Sequence, residues 1–162
     1  MLDVLLYGLC KTTGMRGELV RMAKSPTPDR LEVQVPLRVK PYDIDVVGVV
    51  SNIVYVRWME DLRLAMLDAY LPLDEQMADG IAPAILKVEI EYKRAIQIHD
   101  EVIATMWLSG LEKLRFEVTA EFKANGHVAA IGRQEGCFIS LSTKRPVRPP
   151  AKLVALYREL KG

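Results

Sequence analysis

The chain has few residues of the kinds that staple, target or metallate a protein. Only two of its 162 residues are cysteine, Cys10 and Cys137. Two thiols so far apart build no disulfide framework, and they lack the paired spacing of a zinc or redox site. Cys137 lies in an apolar run and reads as a small buried hydrophobe, so a reducing, cytoplasmic setting is expected. The formal net charge is +1, which gives no overall field to draw nucleic acid or a membrane surface. Neither is expected as a partner. The two histidines, His99 and His127, have no companions at metal-ligand spacing, and no metal or other cofactor is expected. Leu2 to Cys10 is apolar but too short to span a bilayer, and it lacks the basic leader and cleavage site of a secretory signal. No longer apolar run follows, nor any internal repeat or low-complexity tract.

What remains is the profile of a globular domain. Half the residues are hydrophobic and 27% are charged, and a chain of this length buries roughly two-thirds of its unfolded surface in one core. Residues 1–30 mix a short apolar start with scattered basic residues and the breaker run Ser25-Pro26-Thr27-Pro28-Asp29. They read as a poorly ordered leader, with Met15 or Met22 as alternative starts. Residues 31–143 carry the regular pattern and read as the domain proper. Residues 144–162 read as a basic exit segment followed by a short amphipathic helix from Ala151 to Leu160.

Within the domain the hydrophobic period changes once. Leu31, Val33, Val35, Leu37 and Val39 alternate with polar residues, the mark of a half-buried strand, and Pro36 assigns it to an edge or bulge. From Ser51 or Asn52, either of which can cap a helix, to about Tyr70 the chain is apolar except for a narrow polar stripe; Pro72 stops it. A helix apolar on most of its circumference predicts burial on most sides. Four further strands are predicted: Leu86–Tyr92, Val102–Leu108, Leu114–Phe122 and, after the tight-turn pair Asn125-Gly126, Val128–Leu141. Those four can form an antiparallel meander that the first strand joins. One curved sheet around one helix is the economical α+β architecture, and its free edge invites a second subunit.

The chemistry concentrates in Asp43-x-Asp45-x-x-Gly48-x-Val50-x-Asn52-x-x-Tyr55-x-x-x-x-Glu60-x-x-Arg63. Aspartates before a helix are common as turn and capping residues, and Asp43 is read that way. Glu60 is flanked by Arg57 and Arg63 at helical spacing and is read as an ion-pair partner. This run resembles the opening motif of hotdog-fold acyl thioesterases, in the branch containing 4-hydroxybenzoyl-CoA thioesterase and the plant acyl-ACP thioesterases. The likeness is detailed over about twenty residues and extends loosely over Leu31 to Leu141.

The resemblance implies a single hotdog domain, an antiparallel sheet wrapped around a long central helix, pairing edge to edge as a homodimer or homotetramer with active sites at the subunit interface. It implies that Asp45 is the catalytic carboxylate of an acyl-CoA or acyl-ACP thioesterase, acting as general base or nucleophile. Backbone N–H groups of Val47, Gly48, Val49 and Asn52, aided by the helix dipole, would hold the oxyanion and position substrate. Tyr55 and Met59 are candidate pocket residues, although Tyr55 also reads as a packing residue. Lys93, Arg94 and Arg145 are candidates for the CoA phosphates, although such charges are commonly just solvated. The family's acyl-ACP members carry Asn and His where this chain has Val47 and Val49, so a mechanism through that imidazole is closed to it. The same two valines motivate a rival reading, an acyl-CoA-binding protein without hydrolysis.

Overall fold

In a computed structural model of the chain, residues 30–161 are described; the expected leader, Arg30 apart, and Cys10 lie outside them. The elements in order are β1 (Glu32–Leu37), a 3-10 turn (Pro41–Asp43), α1 (Asn52–Tyr70), α2 (Leu73–Ala78), β2 (Ile81–Tyr92), β3 (Val102–Leu111), β4 (Phe116–Ala124), β5 (His127–Ser140), the two-residue β6 (Pro146–Val147) and α3 (Ala151–Lys161).

The strands form one antiparallel sheet in the order β1-β3-β4-β5-β2, with β6 added to β5. β3, β4 and β5 make the expected meander, but β2 does not stand beside β3 as a four-strand meander requires. It crosses to the far side and pairs with β5 from Ile81↔Ser140 to Tyr92↔Ala130. Two physical reasons account for this. β1 already occupies the free edge of β3, and β5 is the one strand long enough to match β2 over its full length. β2 also begins at Ile81, well before the alternation that starts at Leu86. A bulge at Leu86 breaks the register between Ile85 and Lys87, so the pattern on its two sides is out of phase. Pro83 and two alanines, poor strand formers, mask the first half. α2 was likewise not predicted; Pro72 ends α1 but then caps the next helix.

β1, carrying Pro36, is one edge of the sheet, as expected. β2 is the other, with Leu86 and Val88 exposed along it.

α1 lies across the sheet and buries Val54, Tyr55, Trp58, Met59, Leu62 and Met66 against it. This is one stripe at helical spacing rather than most of the circumference. Ile53, Val56 and Leu64 remain exposed, because a single chain's sheet covers one side of the helix. The closest approach is at Gly132 of β5, where an added Cβ would stand 2.6 Å from Met59 Sδ. Gly136, further along the same strand, admits no side chain either: a Cβ would lie 2.7 Å from the Ala84 carbonyl oxygen and closer still to the Phe116 ring. Gly136→Ala therefore forces β2 or β4 outward. It is expected to lower unfolding free energy by about 1–3 kcal/mol, measured by urea denaturation, with Gly110→Ala, where an added Cβ would stand 3.4 Å from Glu117 Cβ, as the milder control.

Candidate active site

The segment before α1 is a compact turn built on its two aspartates. Asp43 is 4% exposed. Its Oδ2 accepts the Lys40 N–H at 3.0 Å and its Oδ1 accepts Arg57 Nη2 at 2.9 Å; its carbonyl accepts the Ser51 N–H. This side chain therefore ties the turn to the second turn of the helix. The chain then passes through a bridge between Ile44 and Val50, which closes residues 45–49 into an exposed loop.

Asp45 caps that loop from within. Its Oδ1 accepts the Val47 N–H at 2.8 Å and the Val49 N–H at 3.4 Å, while its carbonyl accepts the Gly48 N–H at 3.1 Å. Oδ2 takes no part in these bonds. Gly48 sits at φ +87° with open space where a side chain would be. Its left-handed backbone, not a close approach, is what requires glycine here. The amides of Val47, Gly48 and Val49 are thus all engaged inside the turn. Donors without an intrahelical acceptor lie one step further on: Ser51 is the N-cap residue but its side chain caps nothing, which leaves the first-turn N–H groups of Asn52 and Ile53 open. Around them the surface is unusually apolar, with Val46 fully exposed, Val47 78% and Ile53 67% exposed.

Tyr55 and Met59 face away from this loop into the core. Tyr55 meets Trp58, Tyr92 and Phe122 edge to face, at centroid distances of 5.1–5.5 Å. Burial, with a smaller contribution from Tyr92, pushes its phenol up to about 12, so it stays protonated at ordinary pH and is no base. Glu60 pairs with Arg63, whose Nη1 donates to Oε1 at 2.8 Å and whose Nη2 donates to Oε2. Arg57 turns instead to Asp43. The end of β2 lies beside the helix start, since Tyr92 Oη donates to the Asn52 carbonyl at 3.2 Å. Lys93 and Arg94 are there, their N–H groups both on the Ala129 carbonyl. Arg145 is at the opposite end of the sheet, its carbonyl accepting the Ser140 N–H at 3.0 Å. Within one chain the three basic candidates do not form a cluster. His99 and His127 are exposed, and among the described residues no group of His, Cys, Asp and Glu could hold a metal ion.

Two features escaped sequence reasoning. One is Gln134 on β5, fully buried beneath the helix, with Oε1 accepting Arg63 Nη1 at 3.4 Å and Nε2 without a partner; only its polar identity at an inward position of a strand could have flagged it. The other is a cavity of about 50 Å³ under the C-terminal half of α1, walled by Leu67, Leu108, Phe116, Val118, Phe138 and Leu153 and edged by Arg63, Tyr70 and Pro83. It joins elements distant in sequence, which no local pattern reports.

The fold agrees with the family likeness. Residues 39–156 match the thioesterase-like superfamily, more than half of the chain. The chain belongs to that superfamily: it is a thioester hydrolase by class, with the hotdog fold. Among solved structures it is similar to a DHNA-CoA thioesterase from Staphylococcus aureus, with 20% identity, 80% of this chain and 91% of that one covered and a TM-score of 0.73. A thioesterase from Thermus thermophilus, complexed with coenzyme A and Zn, is 26% identical over 84% of this chain and 98% of that one, with a TM-score of 0.69. A gentisyl-coenzyme A thioesterase is 21% identical over 76% and 98%, also with a TM-score of 0.69. Among curated proteins no sequence matches.

The two aspartates should separate by experiment. Asp43→Ala leaves the Lys40 amide and Arg57 without their acceptor and is expected to cost about 1–3 kcal/mol of stability, read by denaturant titration. Asp45→Asn keeps an acceptor oxygen for the turn amides and should leave the midpoint nearly unmoved.

Proposed function

We propose that this protein hydrolyses acyl-CoA thioesters, with Asp45 as the reacting carboxylate. The observation that carries this reading is the placement of Asp45: an exposed carboxylate, oriented by its own turn amides, directly before an uncapped helix start. Oδ1 is held by N–H groups, while Oδ2 is left to take a proton from water or to attack the thioester carbonyl. Either route forms a tetrahedral oxyanion and then expels a thiolate that needs little protonation; direct attack leaves a mixed anhydride on Asp45, which water then cleaves to release the acid and restore the carboxylate. A general base in such a position is typically worth about 10²–10⁴-fold in rate.

The oxyanion donors are assigned to the N–H groups of Asn52 and Ile53, reinforced by the positive end of a 19-residue helix. Val47, Gly48 and Val49 act one step back, by fixing Asp45. Tyr55 and Met59 contribute the packed floor beneath the helix start. Coenzyme A as carrier is supported by the likeness to the thioesterase bound to it. Lys93 and Arg94, at the end of β2 beside the helix start, would meet its phosphates.

A second copy of the chain is part of this proposal. β2 is a 12-residue edge with exposed Leu86 and Val88, and the apolar residues around Asp45 are uncovered. Pairing two β2 edges antiparallel covers both. It also carries the Arg145 end of one sheet toward the Lys93 and Arg94 end of the other.

Three measurements test the reading. Asp45→Asn should lower kcat for thiol release from acyl-CoAs by about 10²–10⁴-fold at unchanged thermal midpoint; full turnover in the folded variant removes Asp45 from the mechanism. A panel that includes carrier-protein-bound acyl groups should show faster release from CoA. Sedimentation should give twice the chain mass, or four times it, and Val88→Glu should shift the population toward the single chain.

A further inference from the structure

We propose that the cavity under the C-terminal half of α1 receives a short, unsubstituted alkyl tail, that Leu153 of α3 closes its far end, and that the thioester of that tail lies at Asp45 of the partner subunit. This rests on the function proposed above and narrows it to aliphatic acyl groups.

The walls argue for the chemistry. Every side chain around the cavity is apolar except Arg63 and Tyr70, and both are committed elsewhere. The Tyr70 hydroxyl donates to the Glu32 carbonyl at 2.8 Å and accepts the Glu32 N–H at 3.2 Å. Arg63 is held by Glu60 on two sides and by Gln134. A hydroxylated aromatic acyl group, of the kind named for the DHNA-CoA and gentisyl-CoA thioesterases, would turn its hydroxyls against walls that are apolar everywhere but at the Arg63 and Tyr70 edge. A methylene chain loses nothing. With about 10–15 Å³ needed for each water-sized group, about 50 Å³ admits a run of about four.

The route argues for the second subunit. From Asn52 to Arg63 the helix rises roughly 16 Å, and Met59 and Leu62, completely buried between them, fill the space between helix and sheet. A tail running between helix and sheet from Asp45 to the cavity of its own chain would have to displace both side chains. β2, however, has the helix start at its Tyr92 end and the cavity at its Pro83 end, about 30 Å apart along the strand. Antiparallel pairing of two β2 edges sets one copy's Tyr92 end against the other's Pro83 end, so each site is incomplete without the partner. α3 holds the cavity's floor: Leu153 is buried in it, and Lys152 Nζ bonds Glu75 on α2 at 2.8 Å.

The test is thiol release from butyryl-, hexanoyl-, octanoyl-, decanoyl-, palmitoyl-, benzoyl- and gentisyl-CoA by wild type, Leu153→Ala and Leu153→Trp. Wild type should favour hexanoyl- or octanoyl- over gentisyl-CoA at least tenfold in kcat/KM. Leu153→Ala should move the optimum to longer chains, and Leu153→Trp should lower the octanoyl-to-butyryl ratio about tenfold. Preference for the hydroxylated aromatic substrate, or a chain-length optimum that neither folded variant moves, overturns the proposal. If no thioester is cleaved, the proposed function fails, and calorimetry with the uncleavable thioether S-octyl-CoA decides the pocket separately. Binding that weakens in Leu153→Trp upholds it; no binding, or binding that neither variant alters, overturns it.

Discussion

The contact between Met59 and the bare backbone of Gly132 sets the distance between helix and sheet, and both the Asp45 end and the cavity end of the helix depend on it. Gly132 lets α1 sink onto β5 at its middle, with the flexible thioether filling the gap that a smaller or stiffer side chain would leave. On the N-terminal side of this contact Tyr55, Trp58 and Phe122 form an aromatic cluster that fixes where the helix begins. On the C-terminal side the packing is looser, and the cavity opens there. Interiors are dense enough that such a void stands out.

The start of the helix is fixed a second time, by charge. Asp43 and Arg57 join the turn to α1 through a buried carboxylate, whereas Asp45, two residues on, points the same chemistry at solvent. The difference between them is environment, not residue type. Asp43 has its oxygens met by Lys40 and Arg57; Asp45 is met only by its own loop, and only at one oxygen. A carboxylate oriented in this way is rigid without being neutralised by a cation, which suits it to reaction.

Much of the fold was legible in the sequence. The period-2 runs located β1, β3, β4 and most of β5, and the cap-to-proline interval located α1 within a residue. What escaped was non-local. The pairing of β2 with β5 depends on matching strand lengths, and the bulge at Leu86 hid half of β2 by inverting its phase. The apolar breadth of α1 was visible, but residue identity alone does not distinguish a helix wrapped by its own sheet from one covered in part by something else. At the candidate site the turn, Gly48 and the helix start were legible as a motif. That the three turn amides bond inward while Asn52 and Ile53 do not was hidden, because it depends on backbone geometry that residue identity leaves open. Gln134 and the cavity were invisible for the same reason: they exist only where β4, β5, α1 and α3 converge.

The two edges of the sheet are unequal, and this bears on how large an assembly can grow. β1 is six residues long and interrupted by Pro36, which cannot donate to a neighbour. β2 is twice that length and bare on its outer side. A sheet with two equally receptive edges could add copies end to end without limit. With one receptive and one blunted edge, the β2 pairing proposed above would restrict strand addition to a single event, in which like edge meets like edge and both are used up. In such an assembly Pro36 would act as a chain terminator for the sheet, keeping the pair from growing into a filament.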